Sequence, residues 1–112
     1  MSDIKDLKAA RVDRLNDKDL RDAYLRLSAN KDFKKLILVE FLQNEPVRAL
    51  EMSTEPGANE GQRADAISYG KSAGHLKRFF HKIDVIGNRA EADIAEIDMM
   101  LLEAAQADAS DE

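Results

Sequence analysis

Residues 66–104 read AISYGKSAGHLKRFFHKIDVIGNRAEADIAEIDMMLLEA, and the spacing of the apolar positions in this stretch decides the fold. Ala66, Tyr69, Ala73, Leu76, Phe80, Ile83, Gly87, Ala90, Ile94, Ile97, Leu101 and Ala104 follow one another in steps that alternate between three and four. That alternation is the coiled-coil period, which keeps one apolar seam turned toward a partner helix. The next position in phase is Asp108, so the seam stops where an acidic, alanine-rich ending begins. Two architectures fit. Either the stretch is a single long helix, or Gly87-Asn88 is a turn between two antiparallel helices. Unbroken phase favours the rod. Charge favours the hairpin, and so does the need to cover the seam, so the balance rests on the hairpin.

Working outward from the seam, residues 53–61 (Ser-Thr-Glu-Pro-Gly-Ala-Asn-Glu-Gly) have nothing large and apolar to bury and read as a loop. Before it, Phe33, Leu36, Ile37 and Phe41 make one helical face, and residues 36–42 (LILVEFL) are the most apolar run in the chain. A helix over 31–52 follows, opening at Asn30 or Asp32 and kinked at Pro46, where proline removes an amide donor. Leu20, Tyr24 and Leu27 mark a helix over 17–28 that starts at the acidic cluster Asn16-Asp17-Lys18-Asp19. Residues 1–16 show only a weak apolar pattern and read as an N-terminal arm. The expected organisation is all-α: an arm over 1–16, then one helical domain over 17–112 with an acidic tail from about residue 106. Leu36, Ile37, Phe41, Leu50, Leu76, Phe80, Ile83, Ile94, Ile97 and Leu101 form its expected core.

The chain has 112 residues and a formal net charge of −5, a mean that conceals strong segregation. Residues 1–35 carry +3, 36–62 carry −4, 63–89 carry +4 and 90–112 carry −8. Such blocks speak of docking, within the chain or with partners. Lys71, His75, Arg78 and Lys82 fall at i, i+4, i+7 and i+11 and form a basic stripe away from the seam. With Phe79 and Ile86 beside it, the stripe is a candidate protein-binding surface; phosphates are its other possible ligand. A pI near 5.1 and the lack of aromatic platforms for unstacked bases count against nucleic acid. Ala66, Gly70 and Gly74, spaced by four, suit a close helix crossing. Asp93, Glu96, Asp98 and Glu103 make an acidic face suited to a basic partner surface.

Nothing points to catalysis. The two histidines, His75 and His81, are six apart and diverge on a helix, and no His-Glu-x-x-His, phosphate-loop or dinucleotide pattern occurs. Ser53, Ser68 and Ser72 lack a nucleophile-elbow context. The absence of Cys removes thiolate zinc sites and disulfides. No apolar run approaches a bilayer span, and the Met-Ser-Asp-Ile-Lys-Asp opening carries no apolar stretch of the kind a secretory signal needs. A non-enzyme without catalytic residues, metal, cofactor or membrane segment is therefore expected. Its partner is a protein, and a modest core makes a homo-oligomer the natural form.

Asn30-Lys-Asp-Phe-Lys-Lys-Leu-Ile-Leu, Phe41-Leu42, Glu45-Pro-Val-Arg and Gly74-His-Leu-Lys-Arg-Phe-Phe, with the acidic ending, resemble small helical proteins encoded by tailed bacteriophages. The resemblance covers about residues 28–105 and transfers no site. It implies a phage protein acting in the host cytoplasm or the virion. Three roles are open: a structural or assembly component, an inhibitor of a host protein presenting the acidic face, and a nucleic-acid-binding accessory in genome packaging that uses the basic stripe.

Overall fold

The computed structural model describes residues 2–110, and every regular element among them is helical. Helix α1 runs Ser2–Ser28, α2 is the single turn Lys31–Phe33, and Lys34–Asn44 is wound as a π-helix. Helix α3 spans Glu45–Ser53 and α4 spans Glu60–Ser110 without a break. The chain divides into two compact units. One joins the residues up to Tyr24 with those from Ile83 onward, and the other is Leu25–Lys82.

In the first unit, α1 covers the C-terminal part of α4. Arg11 meets Asp98, Arg14 meets Asp93 and Arg21 meets Glu91, so the two helices run antiparallel. Ile83, Ala90 and Ile97 are buried along the seam, with Ile94, Leu101 and Ala104 half-buried. The hairpin expected at Gly87 is not formed. No glycine among the described residues has a positive φ, and α4 passes straight through Gly87-Asn88. A Cβ at Gly87 would overlap the Arg21 Cβ and lie 2.7 Å from its Cγ and 2.8 Å from its Cδ. This glycine therefore serves close approach rather than chain reversal. The covering helix that the seam requires comes from the N-terminus.

That same fact corrects the reading of residues 1–16 as an arm. From Ser2 they belong to α1, and the boundary at residue 17 falls inside a continuous helix. At the other end, the acidic tail expected from about residue 106 stays helical to Ser110, while residues 111 and 112 lie outside the described residues.

In the second unit, Asn30 ends one helix and starts the next. Its Oδ1 accepts hydrogen bonds from the backbone N–H of Asp32 (2.9 Å) and Phe33 (3.0 Å), as an N-cap should. The following residues close i→i−5 bonds; the Glu45 N–H, for example, donates to the Glu40 carbonyl. Such a winding carries more than four residues per turn instead of 3.6. It turns Phe33, Ile37, Leu38, Phe41 and Leu42 inward and carries Leu36 out to 61% exposure. Leu36 thus leaves the expected core, because an ordinary α-helical face has the wrong period for this segment.

The change of winding at Glu45 coincides with Pro46, which sits in the first turn of α3, where no amide donor is needed. In α3 it is Ala49, not Leu50, that packs inward; Leu50 is 65% exposed. Phe33 meets Phe80 edge-on at 5.9 Å between ring centroids, and Phe41 meets Tyr69 at 6.4 Å. The loop before α4 closes with a reciprocal cap. The Gln62 N–H donates to Asn59 Oδ1 (2.8 Å), and the Asn59 N–H donates to Gln62 Oε1 (3.0 Å).

The three small residues expected at a close crossing have different surroundings. Ala66 is buried, and a Cβ on Gly70 would stand 3.2 Å from the Ala49 Cβ. Gly74 would meet nothing within 4 Å. Steps of four drift by roughly 40° each on a 3.6-residue helix, so Gly74 has rotated off the seam that Ala73 continues.

These glycines make opposite predictions. Gly74→Ala is expected to raise the unfolding free energy by about 0.5–1 kcal/mol, because only backbone freedom changes. Gly87→Ala is expected to lower it by about 1–3 kcal/mol through overpacking against Arg21. Urea unfolding followed by circular dichroism separates the two, and equal shifts would contradict the close approach at Gly87.

Candidate functional site

The face α1 turns to α4 is basic, and the groups it meets are carboxylates. Arg11 Nε donates to Asp98 Oδ1 at 2.6 Å and Arg14 Nε to Asp93 Oδ2 at 3.0 Å. Arg21, only 6% exposed, donates to Asn88 Oδ1 (2.7 Å), Glu91 Oε2 (2.8 Å) and Asp22 Oδ1 (2.8 Å). Lys18 reaches Asp22 at 2.9 Å. The Arg11 hydrogen bond holds the Asp98 carboxyl below its ordinary pKa. Asp22 is lowered by Lys18 first and Arg21 second. The guanidinium of Arg21 is raised, chiefly by Glu91.

This ladder divides the four acidic-face candidates. Asp93 and Asp98 are engaged by α1, whereas Glu96 and Glu103 are exposed and make no ion pair among the described residues. They border a second strip on this part of α4, with Val85, Ala92, Ala95, Met99 and Leu102 all exposed. With Asn88, these positions again step by three and four, on the side of the helix opposite the buried seam. That second register is hard to see in the sequence because the first one absorbs the pattern. Helix α1 likewise turns Val12, Leu15, Leu20 and Leu27 to solvent.

On the Leu25–Lys82 unit, Lys71, His75, Arg78 and Lys82 are all exposed and make no ion pair among the described residues. They lie opposite Ala73, Leu76 and Phe80. Phe79 is exposed on this unit. Ile86, on the other unit, is half-buried in a small groove with Arg14, Asp17 and Arg89. A cleft of about 460 Å³ opens between α3 and the start of α4, with Ala49, Met52, Ala66 and Tyr69 as apolar lining and Glu45 and Asp65 as acidic groups. Arg48 holds Glu45 at 2.6 Å and Glu40 at 3.2 Å beside it. Among the described residues, no group of three or more His, Asp or Glu side chains could hold a metal ion, and no helix is long and apolar enough to cross a membrane.

No protein-family model, curated protein or solved structure matches the chain.

The depressed Asp98 and Asp22 carboxyls link stability to pH. A carboxyl with a folded pKa below its unfolded value contributes stability above the unfolded pKa, about 3.9, and that contribution is lost as pH falls through the folded pKa. Stability is therefore expected to fall with acidification below about pH 4. Asp98→Asn should flatten part of that slope in urea titrations. A slope identical to that of the unaltered chain would contradict the Arg11–Asp98 pairing.

Proposed function

We propose that this chain is a non-enzymatic structural or assembly protein that works by helix-face docking. In this reading it is a component of a tailed-bacteriophage particle or of its assembly line, acting in the host cytoplasm or the virion. The observation that carries the docking reading is the distribution of apolar side chains. The buried hydrophobic positions among the described residues are four alanines and two isoleucines, while Val12, Leu20, Leu36, Val47, Leu50, Met99 and Leu102 are all more than half exposed. Large apolar groups left bare in such number mark surfaces that meet another molecule. The phage context rests on the resemblance alone.

The charge pattern supports selectivity on top of this apolar affinity, since segregated charge fixes partner and orientation more than it adds binding energy. The inhibitor reading has less to stand on, because only Glu96 and Glu103 of its four carboxylates remain open.

Light scattering across a wide concentration range, together with mass spectrometry of purified particles, tests the proposal. A multimer, or a chain recovered with a capsid, portal or tail component, is the expected result. A lone monomer absent from particles would overturn it.

A further inference from the structure

The basic stripe and the open acidic face lie on one uninterrupted helix, α4. They carry opposite charge, and Lys71, Arg78, Glu96 and Glu103 make no ion pair within the chain among the described residues. Resting on the docking reading above, we infer that the partner of each is a second copy of this chain. The stripe Lys71–Arg78 of one copy docks antiparallel on the Glu96–Glu103 face of the other.

Three observations fit together. The first is spacing. Lys71 and Arg78 are seven residues apart, and so are Glu96 and Glu103, so one antiparallel register sets Lys71 against Glu103 and Arg78 against Glu96 at once. The second is availability, since all four side chains are exposed and carry no ion pair among the described residues. The third is shape. Gly74, between the two cations, has nothing within 4 Å of its would-be Cβ, which leaves room for a helix to come close. In this register Gly74 faces the exposed Met100, and Ala92 and Ala95 stand against Lys82 and Phe79, with the aliphatic stem of Lys82 able to lie over Ala92. Glu96 and Glu103 stand in the −8 segment, so like-to-like pairing of two acidic faces is repelled, whereas the +4 segment is attracted.

Charge reversal tests this directly. The unaltered chain is expected to assemble at low salt and to weaken as salt is added. Lys71→Glu/Arg78→Glu and Glu96→Lys/Glu103→Lys should each be monomeric by light scattering while keeping helical circular dichroism. Mixed in equal amounts, the two variants should restore a one-to-one assembly.

The chain has no cysteine, so Lys71→Cys/Glu103→Cys is a clean second probe. Oxidation should give a covalent dimer, resolved from monomer by non-reducing electrophoresis. Lys71→Cys/Glu96→Cys should give much less.

Assembly that survives either reversal, or a mixture that stays monomeric, overturns this inference and leaves the wider docking reading intact. An unaltered chain that is monomeric at low salt yet present in particles does the same. One that is monomeric and absent from particles removes both. A stripe that shifts nucleic acid in a mobility assay, while its reversal leaves assembly unchanged, also overturns it.

Discussion

Arg21 lies across Gly87, and the packing of α1 on α4 depends on that contact. With no side chain at residue 87, the α1 backbone comes near enough for the Arg21 stem to cover the seam and for its guanidinium to reach Asn88 and Glu91. The same approach sets Arg14 opposite Asp93 and Arg11 opposite Asp98. Each exposed pair contributes little, about 0–1 kcal/mol. Their value lies in register, because a slide of α1 by one turn would break all of them together. The seam supplies burial and the ladder fixes which stretch of α1 provides it.

The helical class and the seam are legible in the sequence because periodicity is a direct image of burial. Of the twelve seam positions, only Tyr69 is more exposed than half-buried, and it still packs edge-on against Phe41. What covers the seam is not legible. A glycine inside a heptad reads equally as a turn or as a close approach, and the Arg21 stem that distinguishes them is 66 residues away in sequence. The pairing of α1 is hidden because its packed side carries Arg11, Arg14 and Arg21, while Val12, Leu15, Leu20 and Leu27 face water. A search for an amphipathic helix looks for the reverse. Leu36 escapes for a different reason, since a change of helical period leaves no mark in the residues themselves. The Asn59–Gln62 cap is readable from its spacing.

The candidate surfaces share one origin. A helix with heptad strips on two sides can have only one of them covered by α1. The other strip, where Glu96 and Glu103 make no ion pair among the described residues, and the basic stripe on the other compact unit stay exposed. With α4 unbroken at Gly87, the basic and acidic segments are not joined by the turn that a hairpin would need.

Amide hydrogen exchange at Gly87 and Asn88 tests the central claim most directly. If α4 is continuous there and covered by α1, both amides exchange as slowly as those of Ile83 and Ala90. Exchange as fast as in the loop at residues 54–59 would mean that the chain turns at Gly87, and would contradict both the unbroken α4 and the close approach of Arg21.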